Sequence, residues 1–128
     1  MKVISNLKQN AQIAVESVLG EVKGVKAVVI STEDGFEVAA RVENTAQVTR
    51  LSAMASSLAA LGALAGEESH LGACEDVIIQ AVGGIIVILQ IPHPSGALIM
   101  SVVAGRDAVI GQMLYFSKQA ARTLQNSC

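Results

Sequence analysis

The stretch LSAMASSLAALGALAG, Leu51 to Gly66, contains no charged residue. Its leucines recur every three to four positions, which is the signature of a helix, and alanine, serine and glycine fill the intervals. On a helical wheel two stripes separate. Leu51, Met54, Leu58, Leu61 and Ala65 form one, and packing on a single sheet requires only one such stripe. Ser52, Ala55, Ala59, Gly62 and Gly66 form a second, of small residues alone, and Thr49, Arg50, Ala53, Ser56, Ser57 and Ala60 fill the rest. Gly62 costs roughly 1 kcal/mol of helix propensity relative to alanine, so the small stripe needs a reason. Small residues at this spacing let two backbones approach closely. That approach can be to the chain's own structure. A self-complementary face with nothing else in the chain to cover it points instead to a twofold dimer. On that reading Ser52, Ala55, Ala59, Gly62 and Gly66 lie between two copies. Ala59→Trp then separates them or destabilises the protein, and Ser57→Trp leaves the dimer intact.

The flanking sequence predicts what carries this helix. Leu7, Ala11, Ala14, Val15 and Val18 recur at helical spacing after a Ser5 cap and give a first helix to about Gly20. Val25 to Thr32 is β-branched and apolar, and Asp34-Gly35 signals a hairpin. Beyond it Phe36, Val38, Ala40 and Val42 alternate with Glu37, Ala39 and Arg41, placing one face on a core. Asn44 or Thr45 can cap the second helix, and Gly66 can end it. EDVIIQAV and IIVILQI read as strands joined by Gly83-Gly84, PHPSG as a turn and ALIMSVVA as a further strand. Asp107 caps a last helix carrying Val109, Ile110, Met113, Leu114, Phe116, Ala120 and Leu124. The order is α-β-β-α-β-β-β-α, an α+β arrangement with a five-stranded antiparallel sheet and helices on both faces. No linker or repeat interrupts it, so residues 1–128 are expected to form one domain, with its core over about 5–125.

Composition narrows the function. Nine basic against eleven acidic residues, a net charge of −2, leave no electrostatic footprint for nucleic acid. Aromatic residues at 2% (Phe36, Tyr115 and Phe116) supply no stacking platform for single strands. No uninterrupted apolar run reaches the roughly 20 residues that span a bilayer, and MKVISNLKQNAQ has no signal-peptide core. Membrane insertion is therefore not expected, and the expected location is the cytoplasm, where Cys74 and Cys128 would stay reduced. Yet the chain is 52% hydrophobic. Such an excess on a small chain points to surface buried by a partner.

Candidate chemistry is sparse. The chain lacks G-x-x-x-x-G-K-[ST] and G-x-G-x-x-G, so it carries no phosphate cradle of its own. His70, Cys74, Glu75 and Asp76 match no zinc spacing. His93 stands between two prolines with no nucleophile or orienting acid in the neighbouring sequence. Arg50 and Arg106 are the arginines that could be donated to a phosphoryl-transfer site; Arg50 reads better as solvating the start of its helix, and Arg106 as meeting Asp107 or backbone. No catalytic residue, metal or cofactor is expected.

GVKAVVISTEDGFEVAA resembles the opening hairpin of the roadblock (dynein light chain) family, whose members read GV-x-G/A-apolar-apolar-S-x-DG. The alanine- and leucine-rich helix, the apolar meander with its late GALIMSVVA strand and the closing helix VIGQMLYFSKQAARTLQ follow in the same order, over roughly residues 5 to 125. The resemblance implies a homodimer in which the third strands, Val77 and Ile79 among their residues, pair into one ten-stranded sheet and the second helices pack together. It also implies, for bacterial stand-alone members, binding and regulation of a Ras-like small GTPase. No shared catalytic residue comes with it. A regulator can act by holding the GTPase's own switch loops, which requires contact surface and no donated residue. Thr49, Arg50, Ala53, Ser56, Ser57 and Ala60 on the open side of the second helix are the expected contact. Two other readings stay open: a structural adaptor indifferent to nucleotide, and a small-ligand sensor of PAS-like type, against which the scarcity of aromatic and polar pocket residues counts.

Overall fold

In the computed structural model, residues 2–42, 46–94 and 96–127 are described, apart from the side chains of 2–5, 46 and 47. The elements are α1 (Lys2–Glu21), β1 (Val25–Thr32), β2 (Glu37–Val42), α2 (Ala46–Glu68), β3 (Asp76–Ala81), β4 (Gly84–Ile91), β5 (Leu98–Gly105) and α3 (Ile110–Gln125). This is the expected order. The strands form one antiparallel sheet in the order β2-β1-β5-β4-β3.

Strand register assigns the two faces. Arg41, Val28, Val102 and Val87 are cross-strand neighbours on one face, where Arg41 reaches Glu16 of α1 at 3.2 Å. Asp76 on the same face meets Lys118 of α3 at 3.0 Å. The adjacent row, Ala40, Val29, Ser101, Ile88 and Val77, faces α2. Helices thus cover both faces, α1 and α3 on one and α2 alone on the other.

The α1/α3 side holds the main core. Ala11, Ala14, Val15 and Val18 bury one stripe of α1, and Met113, Ser117, Ala120, Ala121 and Leu124 one stripe of α3. They close over Val28, Ile30, Val87, Leu89, Met100 and Val102 of the sheet. Burial of such aliphatic side chains contributes about 1.5–3 kcal/mol each.

Local signals differ from the expectations in instructive ways. Ser5 lies inside α1, which already begins at Lys2. Asn44 and Thr45, the expected caps of α2, lie outside the described residues. Asp107 does not cap α3. The N-cap is Val109, with no side-chain hydrogen bond, and the Asp107 carboxylate instead sits over Gly24, where a Cβ would come 2.7 Å from its Oδ1. Gly83-Gly84 is not the hairpin turn: Val82-Gly83 is, and Gly84 is the first residue of β4, where a Cβ would strike the Ala104 carbonyl oxygen.

Nor does Gly66 end α2. The helix runs on to Glu68 and closes with a left-handed His70 (φ 58), the His70 amide donating to Glu67 and the Leu71 amide to Gly66. This is the Schellman arrangement, with histidine in the place glycine usually takes.

The first hairpin closes through three residues, Glu33 to Gly35, with Gly35 at φ 92 and Thr32 paired to Phe36. The register then skips Val38, since Ser31 faces Glu37 while Ile30 faces Ala39. This bulge puts Val38 and Ala39 together on the α1/α3 core. Phe36 is left 68% exposed, so the expected single face of Phe36, Val38, Ala40 and Val42 is corrected.

Candidate docking surface

On α2 the two stripes exchange the places assigned from the wheel. Ser52, Ala55 and Ala59 are 0–3% exposed and press on their own sheet, with Ile88 and Ile99 beneath. Gly62 faces Val77 and Cys74; a Cβ there would come 2.9 Å from Val77 Cγ2 and 3.0 Å from Cys74 Sγ. At Gly66 a Cβ would collide with the Gly72 carbonyl oxygen. Ser52, Ala55 and Ala59 are thus buried within the chain, and their expected place between two copies is corrected; Gly62 and Gly66, close to β3 and the loop before it, stay half-buried. The physical reason lies in the sheet, which presents the buried serines Ser31 and Ser101 on the α2 side. A helix can settle close to such a surface only through small side chains of its own.

The large residues are consequently turned outward. Met54 is 55% exposed, Leu61 60% and Leu64 52%. Leu51 and Leu58 lie at the flank and are half-buried. Leu64 belonged to neither stripe on the wheel. Thr49, Arg50, Ala53, Ser57 and Ala60 are exposed on the same outward side. Ser56 is half-buried, its hydroxyl donating to the Glu33 carbonyl and tying α2 to the first hairpin.

The helix crosses the sheet obliquely. Leu51 and Met54 stand over Ala27, Val42 and Val103 at one side, and Gly62 stands over Val77 of β3 at the other. Leu61 and Leu64 thus lie on the β3 side. That strand is the edge of the sheet, paired only with β4. Its residues Val77 and Ile79 are half-buried on the α2 face, so what β3 offers outward is its backbone edge. An apolar edge strand beside an apolar helix face is a liability in an isolated chain. The six residues of β3 carry one charge, Asp76, and it is paired with Lys118.

By length and composition the segment Val48–Glu68 could cross a membrane, which counting uninterrupted apolar residues did not reveal. Here it lies on the sheet, with Ser52 buried against it and Arg50 exposed. Among the described residues no cluster of His, Cys, Asp and Glu could hold a metal ion. His70 ends α2, and the Cys74 thiol donates to the Asp76 carbonyl at 3.4 Å. Arg106 is exposed in the turn before α3.

The chain has the roadblock fold. It superposes on the Roadblock/LC7 domain from Streptomyces avermitilis with a TM-score of 0.78 at 19% identity, over 88% of this chain and 92% of that one. The gliding protein MglB from Thermus thermophilus matches with a TM-score of 0.80 at 15% identity, over 93% and 88%. Myxococcus xanthus MglB matches with 0.75 at 10% identity, over 98% and 89%. No family model and no curated protein matches the sequence.

Proposed function

We propose that this chain is a non-catalytic docking module, one domain over 1–128, that works as a cytoplasmic homodimer and binds and regulates a Ras-like small GTPase. The observation that carries the reading is the outward apolar face of α2 beside the unpaired edge of β3. Two copies related by a twofold axis pair their β3 strands through the backbone edge that Val77 and Ile79 present, and bring Leu61 and Leu64 of the two α2 helices together. That pairing satisfies the open hydrogen-bonding edge and buries the leucines at once. The outward side of the helix before Leu61, with Thr49, Arg50, Ala53, Ser57 and Ala60, is the contact for the GTPase. Ser56 acts from beneath, holding the hairpin against the helix.

Likeness of fold to MglB supports this assignment, as does the DG-hairpin resemblance; the chain has no G-x-x-x-x-G-K-[ST] loop, and the reading takes it as the regulator rather than the nucleotide carrier. Contact with the switch loops suffices for regulation. The test is retention of a small GTPase from lysate of the source cell on the immobilised protein. Retention with a GTP analogue and release with GDP is the expected result. Retention of partners indifferent to nucleotide would overturn regulation and make the chain a structural adaptor.

A further inference from the structure

A second feature of the α2 side lies away from β3. There the start of α2 and the β2–β1–β5 side of the sheet enclose a cavity of about 450 Å³, within the size range of small-molecule sites. Its floor is one rung of the sheet: Ala27 of β1, flanked by its cross-strand neighbours Val42 and Val103. A small residue between two valines makes the hollow. Leu51 and Met54, one turn apart on α2, form the wall.

Two cations complete the lining, Lys26 and Arg50. Strict strand alternation would send Lys26 to the opposite face from Ala27. The β1–β5 register, however, passes from Val25 opposite Ala104 to Ala27 opposite Val103. Lys26 is therefore the extra residue of a bulge, which re-aims its side chain to the α2 side. Its Cε lies 3.2 Å from where a Cβ on Gly105 would stand, so the bare glycine gives the lysine stem its path. Among the described residues Arg41 and Lys118 have carboxylate partners, and Lys26 and Arg50 have none. Both cations are exposed at the rim of an apolar hollow, and the nearest acid on the Lys26 side, Asp107, lies across Gly105 without an ion pair to it. An anionic head would pair with them, and an apolar body would cover the floor.

We propose that this cavity binds a free amphiphilic monoanion, a carboxylate on a short hydrocarbon chain. The carboxylate sits between Lys26 and Arg50, and the chain lies on Ala27, Val42 and Val103 against Leu51 and Met54. This site goes beyond the proposed GTPase docking but shares Arg50 and the wall of α2 with it, so octanoate binding is read on the chain alone, where the outcome does not depend on any GTPase.

The experiment is titration of the full chain with sodium octanoate by calorimetry, with methyl NMR to locate the site. Octanol and acetate serve as controls for head and tail. Saturable octanoate binding is expected, about tenfold or more tighter than either control, with shifts at the Leu51, Met54 and Val103 methyls. The surface double variant Lys26→Gln/Arg50→Gln should lose about tenfold and keep its circular dichroism. Equal binding of octanol or acetate, shifts confined to other methyls, no saturable binding, or full affinity in the double variant would each overturn the proposal. So would binding to anionic vesicles without binding to octanoate, since the cations would then serve a bilayer.

Discussion

The two faces of the sheet are built on different plans. On the α1/α3 side nineteen of the described residues form one continuous buried core, with Ile30, Ile91, Met100, Met113 and Leu124 among its largest. On the α2 side four residues do, Ala55, Ala59, Ile88 and Ile99. The same difference shows in the helices. α1 and α3 turn valine, methionine and leucine inward, whereas α2 turns alanine, serine and glycine inward and leaves Met54, Leu61 and Leu64 outside. The first face is closed over the sheet within the chain, although Ile13 of α1 and Tyr115 of α3 are exposed on its outer side. On the second face the large side chains of the helix itself point outward, and that asymmetry is the physical basis for the proposal that α2 is a docking element.

The comparison can be broken most forcefully from the finished side. Met113→Ala removes a fully buried side chain from the main core and should cost about 3 kcal/mol, read by urea denaturation. A cost below about 1 kcal/mol would mean that α3 is not held by this core. Ala59→Trp tests the other face. Ala59 is 3% exposed against its own sheet, so the indole should destabilise the chain itself by about 1–3 kcal/mol or lift α2, seen as lost protection of α2 amides in hydrogen exchange. A variant that keeps its stability and only changes its oligomeric state would restore the small stripe to the surface. The smallest effect is at Ser101. Its hydroxyl is buried under α2 with no hydrogen-bond partner. Ser101→Ala should leave stability unchanged or raise it by about 1 kcal/mol, and a loss of that size in thermal unfolding would place a partner at that hydroxyl.

Much of this fold was legible in the sequence because its strands punctuate clearly. β1 runs from Val25 to Thr32 as its β-branched run indicates, and Gly35 takes the left-handed position that Asp34-Gly35 signals. What periodicity could not convey was register. The bulges at Val38 and Lys26 each shift one residue against the pairing strand, and alternation carries no mark of such a shift. The orientation of α2 was hidden for a related reason. A wheel shows that two stripes exist, but which one faces the sheet depends on the size of the partners, here Ser31 and Ser101, contributed by strands far away in the chain. The signal was present in those two serines within largely apolar strands. It becomes readable once the pairing of β1 with β5 is known.

The central claim is that the outward leucines of α2 and the edge of β3 join two copies. It is tested most directly by sedimentation velocity on the wild-type chain beside Leu61→Glu/Leu64→Glu. Both leucines are more than half exposed, so the double variant should change the stability of its own fold by less than about 0.5 kcal/mol per site. The account predicts a wild-type species of two chains and a folded double variant of one. A wild-type species of one chain, or a double variant that still sediments as two, would contradict it.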